Sequence, residues 1–345
     1  MSLKFPTRTA LVALSVFVLS AALAAPAPAV HPAPSTVSDR AAALVSSLAD
    51  TFWAEPLESA EAMTRLARGY AESVGPKTLD LAQKLGIKVG HERLAGVPVY
   101  RLSPVKSTAK RSAKTVLYLH GGGYVLAHGA SGLVEALPLV SNHGFDVVSV
   151  DYRMAPEHPY PAAIEDAFAV YKALAAEKGA ENIVVYGTST GGAMTLILGI
   201  QIARAGLAMP AGFIAGTPWT DLTKTGDSYT INENVDNVLV RYEGLLSSAV
   251  RFYAGGRDLK DPLLSPVYAE EASLKAFSPV LLIAGTRDLF LSNTVRMHKR
   301  FLLLKKPADL IVYEALSHAQ YYFDFEAPET VEHYRFLSDW IEKQP

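Results

Sequence analysis

The 345-residue chain contains no cysteine. Disulfides, thiolate metal sites, iron–sulfur clusters and a cysteine nucleophile are therefore all excluded, and any chemistry must use oxygen or nitrogen nucleophiles. Charge is sparse as well: 19% of residues are Asp, Glu, Lys or Arg, below the ~25% of ordinary soluble domains. The 32 basic and 34 acidic side chains nearly cancel, to a formal charge of -2. No run of five or more like charges occurs, so a nucleic-acid partner is not expected. Internal repeats and low-complexity bias are absent too, with Gly at 24 and Pro at 21. What the chain does have is apolar material. Half its residues are hydrophobic, which excludes a disordered chain and is ample for a large core.

The N-terminus reads separately from the rest. Lys4 and Arg8 precede an uncharged run from Ala10 to Ala25, the n-region and h-region of a secretory signal. A retained membrane anchor is the alternative, but a span takes about 20 apolar residues, and Ser15 and Ser20 interrupt this shorter run. Residues 1–24 are expected to be a signal peptide, with Ala22-Leu23-Ala24 or Ala27-Pro28-Ala29 as the small-residue cleavage site. The product would be periplasmic or secreted, with no stable membrane insertion after removal. Residues 25–38 carry Pro26, Pro28, Pro32 and Pro34 among Ala and Ser and read as an extended linker.

Residues 39–86 read as helices, with Ser38 or Asp39 as a cap and helical runs at Leu57 to Tyr70 and Lys77 to Leu85. Ile87 to Leu94 and Val97 to Leu102 suggest a hairpin-like pair. Strands and helices then alternate. Val116 to Leu119, Val147 to Val150, Ile183 to Tyr186, Phe213 to Ala215, Val280 to Ile283 and Leu310 to Tyr313 are near-continuous apolar runs, as in strands covered on both faces. This order predicts an α/β protein with a mostly parallel sheet flanked by helices, over residues 87–345. One interval, 217–277, is longer than a crossover helix needs. With a helix at Tyr242 to Tyr253, it is expected to join the N-terminal helices in a cap.

Gly187-Thr188-Ser189-Thr190-Gly191 lies directly between a strand run and a helical run. That is the context of a nucleophile elbow, whose sharp turn leaves no room for bulky neighbours. His120-Gly121-Gly122-Gly123-Tyr124 again follows a strand run. Acyl transfer creates an oxyanion that needs preorganised donors, and glycines let backbone N–H groups approach it. A phosphate cradle is the rival, but no Gly-Lys-Ser/Thr follows, and Gly-x-Gly-x-x-Gly fails at Leu126. A serine needs a base and the base an orienting acid, in the chain order Ser, Asp or Glu, His. Asp288 follows one late strand and His318 the next. Glu314 is the alternative acid, although it would act from the histidine's own loop. His91, His298 and His333 read as packing or surface residues.

These segments, together with Asp151-Tyr152-Arg153-Met154-Ala155-Pro156-Glu157-His158-Pro159-Tyr160-Pro161-Ala162-Ala163, resemble the hormone-sensitive-lipase-like branch of the α/β-hydrolases, the bacterial family IV esterases. The likeness spans nearly all of the body. It implies the α/β-hydrolase fold, Ser189 as nucleophile, His318 as general base and acid, and Asp288 as the orienting acid. Gly121, Gly122 and Thr190 would supply the oxyanion N–H groups, and the 151–163 segment would brace the glycine loop. No metal or cofactor is implied. Two departures stand out: the family most often has Asp before the serine and Ala after it, where this chain has Thr188 and Thr190. Thr188 and the Gly285-Thr286-Arg287-Asp288-Leu289 wording are similar to the ε-lactone hydrolase subgroup.

The resemblance thus implies a serine carboxylesterase for short- to medium-chain esters, with a lactone hydrolase as the alternative. Peptidase or amidase activity and a non-catalytic ligand-binding protein on the same fold are further alternatives, the last weighed against by the retained His318. The expected partner is a small-molecule ester or lactone. The C-terminal helix and last strand are candidate homodimer surfaces. Tyr124, Phe52, Trp53, Tyr229 and Leu239 are candidate pocket residues, each also readable as plain core.

Overall fold

The computed structural model describes residues 31–49, 51–105 and 112–345, so the expected signal peptide and the first part of the linker lie outside the described residues. Eight strands form one sheet: β1 (Ile87–Leu94), β2 (Val97–Pro104), β3 (Thr115–Leu119), β4 (Asp146–Val150), β5 (Ile183–Thr188), β6 (Gly212–Gly216), β7 (Val280–Gly285) and β8 (Ala308–Tyr313). Their order is β1-β2-β4-β3-β5-β6-β7-β8. β1 and β2 form the antiparallel end of the sheet, β2 pairs antiparallel with β4, and every later pairing is parallel.

Ten α-helices accompany them among the described residues: α1 (Asp39–Val45), α2 (Ala60–Lys84), α3 (Leu137–Ser141), α4 (Ala162–Lys178), α5 (Thr190–Arg204), α6 (Ser228–Ile231), α7 (Leu245–Ala254), α8 (Glu271–Lys275), α9 (Leu291–Leu303) and α10 (Pro328–Glu342). Side chains alternate along each strand, and both sets are buried. Leu117, Leu119, Val185, Phe213 and Leu282 enter one core with α4, α5 and α9. Val116, Tyr118, Val184, Tyr186, Ile214 and Ile283 enter a second one with α3 and α10. This two-sided burial is why the strand runs carry so few polar residues.

Three expectations are corrected. The runs at 57–70 and 77–85 are one helix, α2, with Pro76 inside it. A proline removes one helical hydrogen bond, but Met63, Ala67, Val74 and Ala82 are buried along the helix, and that packing carries it through the interruption. The stretch from Ser131 to Asn142, whose spacing predicts a further helix, is split between a 3-10 turn at Gly129–Ala136 and α3, where Pro138 falls in the first turn. Finally, β8 is not covered on both faces. It is the edge strand beside β7, and Val312 is 40% exposed.

The parallel register positions the site. Leu119 lies beside Gly187, Thr188 beside Gly216, Gly216 beside Ile283, and Gly285 beside Tyr313. The loops that leave β3, β5, β6, β7 and β8 therefore emerge along one edge, the carboxyl end of the strands where open α/β sheets bind ligands. The 217–277 insertion between β6 and β7 meets the N-terminal segment: Ser248 Oγ accepts from the N–H of Leu57 at 2.9 Å, and Gly244 packs against the backbone of Trp53 and Ala54.

Candidate active site

Ser189 stands in the turn between β5 and α5 with φ 63 and ψ -122, a strained backbone for a residue with a side chain. Hydrogen bonds hold that strain in place: the Ser189 N–H donates to Gly216 O at 2.8 Å, and its carbonyl accepts from Trp219 at 3.1 Å and Ala193 at 3.0 Å. The flanking glycines are sterically required. A Cβ on Gly191 would sit 1.9 Å from the Leu119 carbonyl oxygen, and one on Gly187 would sit 2.4 Å from that of Gly191. Gly191→Ala is accordingly expected to cost about 3 kcal/mol or more, since backbone rather than a flexible side chain must yield. Denaturant unfolding of that variant beside the parent checks this, and unchanged stability would contradict the packing described.

The glycine loop is folded against the same turn. Gly122 has φ +110, and a Cβ there would meet Leu126 O at 2.4 Å; Gly121 lies so close that its Cβ would be 3.2 Å from Ser189 Cβ. The Gly122 carbonyl accepts from Val125 and Leu126. Residues of the 151–163 segment support the loop from behind. Tyr152 Oη donates to His120 O at 2.7 Å, and its ring stacks on the His120 imidazole at 4.1 Å. Asp151 accepts from Gly129 N–H at 2.7 Å, and Tyr124 O from Ala155 N–H at 3.0 Å. Among the described residues no protein acceptor pairs with the N–H groups of Gly121, Gly122 or Thr190. Thr190 is also the first residue of α5, where the helix presents its positive end.

Asp288 follows β7 and His318 follows β8, and the two meet: His318 Nδ1 lies 3.0 Å from Asp288 Oδ1. Asp288 is fully buried and His318 nearly so, while Ser189 keeps partial exposure. The Phe290 ring meets the His318 imidazole edge-on at 4.9 Å and stacks on Trp219 at 5.0 Å, which links the three loops. Burial pulls the His318 imidazole down, but the charge and hydrogen bond of Asp288, with Asp236 and Glu135, outweigh it and leave the group above the ordinary histidine range. Glu314, the alternative acid, is exposed. His333 is buried against Tyr313 and Tyr321, with its protonated form strongly disfavoured at a value of about 3.

The candidate pocket residues divide. Phe52 and Trp53 are half-buried, and the Trp53 ring comes within 3.5 Å of a Cβ placed on Gly123. Tyr124, Tyr229 and Leu239 are almost wholly buried. Tyr124 stacks on Tyr253 at 3.7 Å, and Tyr229 donates to Asp221 O and packs on Tyr242 and Phe290. In this structure these three behave as core.

Sequence reasoning missed two carboxylates. Glu135, in the turn before α3, is buried and accepts from the hydroxyls of Tyr118 at 2.7 Å, Tyr186 and Thr188. Thr188 thus sits on a carboxylate supplied by another element. The available signal was one acid in the run Leu133-Val134-Glu135-Ala136-Leu137. Asp236, in the insertion, is the second, and it accepts from the N–H of Leu289. Among the described residues no cluster of three or more His, Asp or Glu could hold a metal, and no helix is long and apolar enough to cross a membrane.

A serine lifted on a strained strand–turn–helix at the carboxyl edge of a parallel sheet, with an Asp–His pair on the loops after later strands, defines the α/β-hydrolase class. The chain belongs to the alpha/beta hydrolase fold family, whose profile matches residues 116–322, and within it to the bacterial hormone-sensitive-lipase-like branch. An esterase of Acinetobacter venetianus is 31% identical over 209 residues, covering 60% of this chain and 66% of its own length. The aligned region thus spans just under two thirds of that relative. The crystal structure of an esterase superposes with a TM-score of 0.82 at 36% identity, over 93% of this chain and 99% of that one. A hormone-sensitive lipase from a metagenome library superposes with a TM-score of 0.70 at 27% identity, over 83% and 99%.

Proposed function

We propose that the protein is a serine carboxylesterase that cleaves short- to medium-chain esters through an acyl-enzyme. One observation carries the reading: the buried 3.0 Å pairing of His318 with Asp288 at the sheet edge where Ser189 occupies its strained turn. Ser189 Oγ attacks the ester carbonyl, and His318 Nε2 takes its proton while Asp288 holds Nδ1–H and stabilises the imidazolium. The unpaired N–H groups of Gly121, Gly122 and Thr190 receive the oxyanion at the N-terminus of α5. His318 then returns the proton to the departing alcohol, and water repeats the sequence to release the acid. Trp53, half-buried over the glycine loop, supports a pocket of limited depth.

Steady-state hydrolysis of p-nitrophenyl esters from acetate to palmitate tests this, with the maximum expected at short or medium chains. A maximum at palmitate would overturn the chain-length reading. Lactone hydrolysis, suggested by Thr188 and the Gly285 to Leu289 wording, uses the same groups, with the leaving alcohol still tethered; a lactone panel separates the two. The export of the chain by residues 1–24 and its cap, made of residues 39–86 and 217–277, belong to the same proposal. So does self-association through the exposed edge of β8 and α10.

The base must be neutral to act, and the field of Asp288, Asp236 and Glu135 raises His318. The acid limb of kcat/KM is therefore expected above the ordinary histidine pKa of ~6.5, with activity lost as pH falls through it. The stability contribution runs the other way. A raised folded-state pKa stabilises the fold fully below the unfolded value and is lost as pH rises through the folded one. A pH–rate profile from 5 to 9 that is flat, or that has its limb below 6, would contradict the role of His318.

A further inference from the structure

A second carboxylate is buried beside the Asp288–His318 pair. Asp236 lies in the 232–239 turn of the insertion and is fully buried. Its Oδ1 accepts from the N–H groups of Val238 at 2.9 Å and Leu239 at 3.0 Å, closing an Asx-type turn. Its Oδ2 accepts from the N–H of Leu289 at 2.9 Å, the residue that follows Asp288. Neighbours in the same turn grip both loops. Asn232 Nδ2 donates to Asp288 O at 2.8 Å and Thr286 O at 3.2 Å. The Asn237 N–H donates to Ser317 Oγ at 3.2 Å, and its Oδ1 accepts from Gln320 Nε2 at 2.9 Å. One turn thus holds the acid loop on one side and the base loop on the other.

The three amide donors use both oxygens of the side chain. What an aspartate adds is charge, and a buried carboxylate without a cation is costly. The ionisable groups that face Asp236 are Asp288, which repels it, and His318, which attracts it when protonated; burial and Asp288 push Asp236 up to about 6. Seen from His318, Asp288, Asp236 and Glu135 all favour the imidazolium. We infer that Asp236 is a positioning residue of the ester-cleaving centre: it fixes the acid loop, and its charge joins that of Asp288 in stabilising the imidazolium that forms as Ser189 loses its proton. The inference rests on the role proposed for Ser189 and His318.

The test is the pH dependence of kcat/KM on p-nitrophenyl butyrate for the full chain, Asp236→Asn and Asp236→Glu, with Ser189→Ala as the blank. Asp236→Asn is expected to lower kcat/KM about tenfold at its plateau and to move the acid limb to lower pH by roughly half to one unit. Asp236→Glu, which keeps the charge, should bring the limb back toward the parent. A folded Asp236→Asn whose limb stays in place overturns the inference. So does failure of both Asp236→Asn and Asp236→Ser to fold, which would make the residue a fold element only. An active Ser189→Ala would instead bring down the serine mechanism and this inference with it.

Discussion

Ser189→Ala is expected to lower kcat for p-nitrophenyl butyrate on the order of 10⁴- to 10⁶-fold, the scale of removing the nucleophile from a serine hydrolase. Both the attacking atom and the proton that His318 must accept disappear with the hydroxyl. The loss should appear in kcat with KM little changed. Stability should hardly move, because the turn is kept by backbone bonds from Ser189 to Gly216, Trp219 and Ala193 that alanine retains. Alanine carries the same φ penalty at this position as serine does. Thermal unfolding run beside the kinetics distinguishes loss of chemistry from loss of fold. Activity within tenfold of the parent in a folded variant would dismiss Ser189 as the nucleophile.

Glu135→Ala is expected to act on the fold first. The carboxylate is the shared acceptor for Tyr118, Tyr186 and Thr188, all buried. Removing it strands the Tyr118 and Tyr186 hydroxyls, leaves Thr188 Oγ1 with Tyr321 Oη at 2.9 Å, and opens a cavity between β3, β5 and α3. A buried donor left unpaired costs about 1–3 kcal/mol, and rotation of the hydroxyls toward other partners recovers part of that. A net loss of about 3–5 kcal/mol is expected, lowering Tm by roughly 4–8 °C at the scale of about 1.5 °C per kcal/mol for a chain of this length. Glu135→Gln keeps one acceptor oxygen and should lose less than half as much. Burial holds the Glu135 carboxyl above its ordinary range, against the hydrogen bonds from Thr188, Tyr186 and Tyr118. Unfolding of both variants in urea measures the difference, and a Glu135→Ala protein as stable as the parent would show that the three hydroxyls do not need the carboxylate.

The two cases differ in how far they could be read from residue order. Strands β3 to β7 were legible because burial on both faces demands continuous apolar runs, which local composition records. The Ser189 turn was legible because glycines at 187 and 191 are imposed by contacts at the turn itself. β8 misled for the same reason in reverse: Leu310 to Tyr313 is apolar enough to pass for a central strand, yet its place at the sheet edge is set by the order of pairing. Pro76 misled because a local rule predicts a break, whereas packing against distant residues holds α2 together.

By itself the sequence determined the fold class, the order of the elements and the positions of Ser189, Asp288 and His318 at strand ends, since each of these follows from periodicity, glycine placement and chain order. Only the tertiary structure decided which side chains share an environment. It buried Tyr124, Tyr229 and Leu239 among packed neighbours, put Trp53 against the glycine loop, and set Glu135 under Thr188, 53 residues along the chain. It also brought Asp236 to the amide of Leu289, again 53 residues away. The physical reason is the range of the forces involved. Backbone conformation and burial periodicity are local and leave a pattern in neighbouring residues, whereas the desolvation and charge felt by a buried carboxylate come from whichever segments fold around it.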